Sequence, residues 1–240
     1  MPDRAALVTG ASSGIGLAIA HALGEDGHAL TVAARRPEKL SQAVEELRAA
    51  GHEVEEVAAN LTEEDDIRRV VAAHRERFGR LDVLVNSAGV GFGAAAGEHQ
   101  TKRVDMQLDL NLRAIVLFYR EALDLLKAAG GEHRNALVVN LSSISGKAGQ
   151  PWLSVYSATK AAVIGYTQAM NAELNGDGIK SVALCPGFVD TSLTDYIKEQ
   201  VAPEAMISTA DVVAAVRFVL QTSPACVVPE IVLQRPGQNL

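Results

Sequence analysis

Tyr156 and Lys160 stand four positions apart in PWLSVYSATKAA, among small residues and in a chain whose aromatics make up only 4%. On a helix, residues i and i+4 share a face, so a phenol and an ammonium at this spacing lie side by side. Two readings follow. The lysine can simply cover the ring of a surface tyrosine. Alternatively, the cation favours the phenolate and lowers a pKa that is ordinarily about 10, so that the tyrosine can move a proton near neutrality. The stretch alone leaves both open.

A second run with chemical meaning is Thr9-Gly10-Ala11-Ser12-Ser13-Gly14-Ile15-Gly16, which follows the apolar AALVTG and opens the helical pattern GIGLAIAHALGEDG. Gly10 suits a tight turn, while Gly14 and Gly16 let backbone approach a phosphate and let the helix pack on the strand. The helix N-terminus then presents free N–H groups and a positive dipole end to a pyrophosphate. Glycines in a strand–turn–helix context predict dinucleotide binding. At the end of the next strand-like run, where such folds carry an acid for the ribose hydroxyls, this chain has Ala34-Arg35-Arg36. A carboxylate would repel a 2′-phosphate and a guanidinium can grip it, so Arg35 and Arg36 point to NADP(H). The alternative is two solvated arginines at a strand end. Ser13 supplies no second basic grip.

The elements that must carry these groups alternate along the chain. Strand-like AALVTG, HALTVAAR, HEVEEVAA, LDVLVNSAG, NALVVNLSS, KSVALCPG and ACVVPEIVLQ are separated by helical patterns. Pro37 suits a first helical turn and Gly51 a helix stop, and Thr62 is read as the N-cap of an acid-led, arginine-ended helix. A long helical pattern covers Gln100–Ala129, and the Tyr156 helix ends near Gly176. Near-continuous apolar strands between helices predict an α/β fold: one doubly wound Rossmann-type domain over residues 1–240, with a parallel seven-stranded sheet and helices on both faces.

Composition narrows the function classes. The net charge of −7 argues against nucleic acid as a partner. No apolar run reaches a membrane span, and the N-terminus lacks a signal-peptide core, so a cytoplasmic protein with no membrane partner is expected. The histidines lack zinc-site spacing, so no metal is expected. Cys185 and Cys226 sit in apolar runs and read as small buried hydrophobes. A serine hydrolase is disfavoured, because Ser143 lacks the Gly-x-Ser-x-Gly elbow.

Gly-x3-Gly-x-Gly together with Tyr156-x3-Lys160 resembles the short-chain dehydrogenase/reductase family, in its NADP-preferring, 3-oxoacyl-carrier-protein-reductase-like form. The resemblance extends along nearly the whole chain: Asn86-Ser87-Ala88-Gly89 after strand four, with Ser87 in place of a second asparagine; Asn111 in LNL; Ser143 in LSS; and Pro186-Gly187 with Val189 and Thr191 after strand six. It implies catalysis by Asn111, Ser143, Tyr156 and Lys160. Tyr156 would exchange a proton with the carbonyl oxygen, Ser143 would hold that oxygen, and Asn111 would hold a water beyond Lys160. It places the cofactor on Gly10, Ser12, Ser13, Gly14, Ile15, Gly16, Arg35, Arg36, Asn60, Leu61, Asn86, Ala88, Gly89, Tyr156, Lys160, Pro186, Gly187, Val189 and Thr191. Asn60 stands where the family has an aspartate facing the adenine, and its side-chain oxygen can still accept a hydrogen bond.

The expected pocket for a small carbonyl or alcohol substrate is formed by Ser143, Ser145, Gln150, Trp152, Tyr156 and Phe188, with Phe92 and a loop segment over about 188–208. The family also implies a homo-oligomer, tetramer or dimer, built on Gln100–Ala129, the Tyr156 helix and the tail from Ala225. Two other readings stand beside this one. A non-catalytic NADP-binding regulator on the same fold would be expected to lose the tyrosine, lysine or serine. An extended-type epimerase would need a sizeable further substrate domain.

Overall fold

A computed structural model of the chain describes residues 2–237. Seven strands, Ala5–Thr9 (β1), Ala29–Ala34 (β2), Val54–Ala58 (β3), Val83–Asn86 (β4), Ala136–Leu141 (β5), Ile179–Pro186 (β6) and Glu230–Leu233 (β7), form one sheet in the order β3-β2-β1-β4-β5-β6-β7. Every neighbouring pair is parallel. The expected seven-stranded doubly wound sheet is therefore present. Order reverses between β1 and β4, and ligands in such sheets bind outside the carboxyl ends of the strands at that switch point.

Alternation along the strands divides the core. Ala6 and Val8 face one layer with Ile19, Leu40, Val44 and Val216, whereas Leu7 faces the other with Ile67, Phe118, Leu126 and Val163. The first layer contains the helices Gly14–Glu25 (α1), Pro37–Ala49 (α2) and Thr209–Gln221 (α7). The second contains Glu64–Phe78 (α3), Ala114–His133 (α5) and Ser154–Leu174 (α6), and Thr101–Leu108 (α4) leads into α5.

Local chemistry explains the boundaries. Pro37 is the first residue of α2, and Gly51 follows that helix with φ +88°. α3 begins at Glu64, with Glu63 and not Thr62 at the capping position. The Thr62 hydroxyl donates instead to Asn60 Oδ1 at 3.0 Å, while Asp66 reaches back to accept from the Asn60 N–H at 2.6 Å. The pattern read as one helix over Gln100–Ala129 is interrupted by a π-helical stretch, Asp109–Arg113, and continues to His133. One extra residue in a turn leaves hydrophobic periodicity almost unchanged, which hides such a bulge in sequence.

Cys185 is buried as expected. Cys226 is exposed, because the last strand begins only at Glu230 and Cys226 lies in the preceding turn, its N–H donating to the Ser223 carbonyl. Of the tail considered as a contact, residues 238–240 lie outside the described residues. No helix of the described residues is long and apolar enough to cross a membrane.

Candidate active site

The glycine run lies at the switch point, where β1 and β4 diverge. Gly10 and Gly14 adopt φ of +68° and +56°, a region glycine occupies without strain. A Cβ on Gly10 would lie 2.8 Å from Ala88 N, and one on Gly16 would lie 2.5 Å from Gly10 O. These two glycines thus bring the loop against the Asn86–Gly89 turn and seat α1 on β1. Thr9 joins the same two loops: its Oγ1 accepts from the Ser87 and Ala88 N–H groups at 3.1 and 3.2 Å. Ser13, at the start of α1, uses no side-chain cap, and Thr191 from the segment after β6 lies beside Gly14.

Arg35 and Arg36 are exposed where β2 gives way to α2, and neither forms an ion pair with an acid among the described residues. Asn60 spends its side-chain oxygen on Thr62. Leu61 and Val189 are 4% and 3% exposed, so their side chains belong to the core. Asn86 is buried, donates to Asn140 Oδ1 at 2.8 Å and keeps its own Oδ1 without a partner. Gly187 N–H is bonded to Leu233 O at 2.8 Å, which fixes the backbone just after Pro186.

Around the carboxyl end of β5 the four expected catalytic side chains meet. Lys160 is 5% exposed; its Nζ donates to Leu141 O at 2.7 Å and lies 5.6 Å from the Tyr156 ring centre. Ser142 Oγ donates to Lys160 O at 2.8 Å, tying α6 to the strand end. Ser143 is buried and its hydroxyl reaches the Tyr156 phenol. Asn111, on the π-helical stretch, is fully buried: its Oδ1 accepts from Val90 N at 2.9 Å and its Nδ2 donates to Val90 O and Thr159 Oγ1. Both amide hydrogens are thereby used, which leaves only an oxygen lone pair for a water. A Cβ on Gly89 would meet Asn111 Oδ1 at 3.2 Å and Lys160 Nζ at 3.5 Å, so a glycine there keeps the junction open.

The electrostatics differ from the sequence expectation in one respect. Burial pushes the Tyr156 phenol above its ordinary value, only partly offset by Ser143. Burial also pushes Lys160 down to about 8. The ammonium directs its hydrogen bond at Leu141 O and sits over the ring.

The chain matches the family model "short chain dehydrogenase" over residues 4–202. It is 39% identical over 199 residues to a putative ketoacyl reductase of the granaticin polyketide synthase from Streptomyces violaceoruber, covering 82% of this chain and 72% of that one. It superposes on an actinorhodin polyketide ketoreductase variant solved with NADPH at a TM-score of 0.86 and 33% identity, covering 96% and 94% of the two chains. A 3-ketoacyl-(acyl-carrier-protein) reductase from Brucella melitensis, solved with NADH, superposes at 0.86 with 26% identity over 97% and 96%. This chain belongs to the short-chain dehydrogenase family. It is an oxidoreductase of that family.

Within this short-chain dehydrogenase, the expected substrate residues divide. Ser145 and Gln150 line a groove of about 620 Å³ with Lys147, Ser154, Ser157 and Ala161, and neither Tyr156 nor Ser143 lines it. The reason is helical: Ser154, Ala158 and Ala161 occupy a different face of α6 from Tyr156 and Lys160. The Gln150 side chain donates to Ala148 O, so the structure separates it from the phenol. Trp152 is closer to the chemistry, through the β4–α4 loop: its indole would clash at 2.2 Å with a Cβ on Gly93, while one on Gly91 would lie 3.3 Å from the Tyr156 ring. Phe188 is partly buried after β6, and Tyr196 from the same segment acts on the phenol electrostatically.

Sequence reasoning missed Gln107, whose buried Oε1 accepts from Phe92 N at 3.0 Å, and Thr159, which joins Asn111 to the Tyr156 carbonyl. The paired glycines of Val90-Gly91-Phe92-Gly93 were the available signal for close packing.

Proposed function

We propose that this protein is an NADP(H)-dependent carbonyl reductase, interconverting a ketone or aldehyde with its alcohol and using Tyr156 as general acid and base. The observation that carries this reading is the meeting of Tyr156, Lys160, Ser143 and Asn111 at the strand ends beside a glycine-lined helix N-terminus. That N-terminus fits a pyrophosphate, because Gly14 leaves open backbone next to Thr191 and Ser13 leaves its cap unused. Arg35 and Arg36 fit a 2′-phosphate, being exposed cations at a helix start that form no ion pair with an acid among the described residues. Gly89 and Asn86 fit the nicotinamide end.

When bound, a reduced nicotinamide supplies the hydride to the carbonyl carbon. Tyr156 Oη gives its proton to the carbonyl oxygen as the C=O electron pair moves onto it. Ser143 Oγ donates a hydrogen bond to the same oxygen and holds it against the phenol. Lys160, beside the ring, stabilises the phenolate left behind, and a water on the free lone pair of Asn111 Oδ1 returns the proton. The raised phenol suits the acid role, since the group stays protonated until a carbonyl oxygen needs it.

The names of the relatives favour a ketoacyl or polyketide-like ketone, with residues 188–208 as the substrate segment of a single domain. We place the protein in the cytoplasm as a homo-oligomer built on α5, α6 and β7, which light scattering tests by mass. The function itself is tested by loss of NADPH absorbance with a panel of ketones. Turnover that depends on the ketone supports the reading. Binding of NADPH with no turnover on any member would favour a regulatory protein instead.

A further inference from the structure

Beneath the carboxyl ends of the strands lies a chain of buried polar side chains that the proton transfer leaves unused. Asn86, Asn140, Tyr119, Thr167 and Ser181 are each 3% exposed or less, and they come from β4, β5, α5, α6 and β6. Their hydrogens run in one direction. Thr167 Oγ1 donates to the Val163 carbonyl at 2.7 Å, and Tyr119 Oη donates to Ser181 Oγ at 2.9 Å. A hydroxyl has one hydrogen, so towards a further partner each of these two can only accept. That partner is Asn140, whose Nδ2 donates to both at 3.0 Å. Burial pushes the Tyr119 phenol up, so it keeps the proton it gives to Ser181.

The Asn140 amide is thereby fixed, with its NH2 toward α5 and α6 and its Oδ1 toward β4. Asn86 stands opposite it in register and donates Nδ2 to that oxygen at 2.8 Å. Turned over, the Asn86 amide would set two acceptors against each other. Its own Oδ1 therefore points away from the network, where it is buried and meets no donor among the described residues. An enclosed acceptor without a donor is unfavourable, and a bound group that brings the hydrogen relieves the cost. Asn86 ends β4 at the switch point, and Asn140 precedes Leu141, whose carbonyl holds Lys160. Arg35, after β2, lies on the far side of β1. The half of a dinucleotide within reach of this oxygen is thus the half beside Tyr156.

We propose that Thr167 and Tyr119 are positioning residues for the cofactor: acting through Asn140, they hold the Asn86 amide so that its oxygen accepts a hydrogen bond from an N–H or O–H on the nicotinamide half. Both act from within the core. This rests on the NADP(H) reading above.

Two probes separate the halves of the site by calorimetry: NADPH, and adenosine 2′,5′-bisphosphate, which lacks the nicotinamide half. In Tyr119→Phe/Thr167→Val nothing accepts from Asn140, so both amides can turn over. The NADPH Kd is then expected to rise about tenfold, the scale of one hydrogen bond, with the bisphosphate Kd unchanged. Tyr119→Phe/Thr167→Ser returns one hydroxyl to α6 and should recover most of the lost affinity. Asn171→Ala is the control, because its amide bonds the Ser181 backbone at 2.8 Å in both directions and does not orient Asn140. There the urea midpoint falls and both Kd values stay. Should the valine double variant not fold, Asn140→Leu carries the same test, freeing Asn86 by one apolar replacement of similar size. An unchanged NADPH Kd in the folded variants, a parallel rise for the bisphosphate, or no recovery with serine would overturn the proposal. Wild-type protein that binds neither probe would instead remove the NADP(H) reading beneath it, and the proposal with it.

Discussion

The two ends of the sheet bury charge in opposite ways. At the amino ends of the strands, Asp82 is 1% exposed. Burial alone would raise its carboxyl, but Arg80, the Ala5 N–H and His133 together hold it below its usual value. It accepts from Ala5 N at 2.8 Å, from Arg80 Nε and Nη2 at 2.9 and 2.7 Å, and from His133 Nε2 at 2.9 Å. Nearby, His74 is fully buried, held between Thr31 Oγ1 and Arg80 O, and burial pushes it down to about 4. At the carboxyl ends, Lys160 is nearly as buried yet has one carbonyl partner, and Asn86 keeps an unpaired oxygen. A buried charge with every lone pair occupied is part of the scaffold. One left under-partnered is available to a ligand.

Four experiments break or sharpen that contrast. Tyr156→Phe removes the exchangeable proton and nothing from the core, so turnover should fall about 10⁴-fold with NADPH binding and Tm retained. A variant keeping most of its rate would show that the carboxyl end works by another residue. Asp82→Ala does the reverse. It strands Arg80, His133 and the Ala5 N–H, and urea unfolding should show a loss of about 4 kcal/mol with the NADPH Kd unchanged.

The third concerns pH. His74 is depressed in the folded state, so the unfolded chain binds more protons between its ordinary value and about 4. Stability is therefore full above pH ~6.5 and falls as pH drops toward ~4, by on the order of 3 kcal/mol. His74→Gln should flatten that slope in urea midpoints measured across the range, and an equally steep slope would assign the protons elsewhere. The smallest effect belongs to Arg35→Asp. The ratio of NADPH to NADH efficiency should drop about tenfold, and an unchanged ratio would leave the 2′-phosphate to other groups.

Much of this was legible in the chain. Alternating apolar strands and helical patterns were enough for the parallel seven-stranded sheet, because burial on both faces imposes near-continuous apolar runs. Glycine spacing located the turn after β1, and the i, i+4 rule placed Lys160 beside Tyr156. Other features were hidden. The π-helical bulge at Asn111 left the periodicity intact, and Thr62 lost its capping role to local bonds among Asn60, Thr62 and Asp66. Gln150, in the loop before α6, turned onto the Ala148 carbonyl and away from the phenol, and Cys226 fell outside a strand shorter than its apolar run.

The order of residue types along the chain determined the layers, the strand ends and which side chains share a helical face, since those follow from local geometry and apolar burial. Whether a given group ends up charged, paired or open was decided only when distant segments met. The protonation of Tyr156 and Lys160 depends on how far β5 and α6 together shut out water. The place of Trp152 depends on a glycine fifty-nine positions earlier, brought against it by the fold. Desolvation and close contact are properties of assembled surfaces, and no stretch of sequence carries them alone.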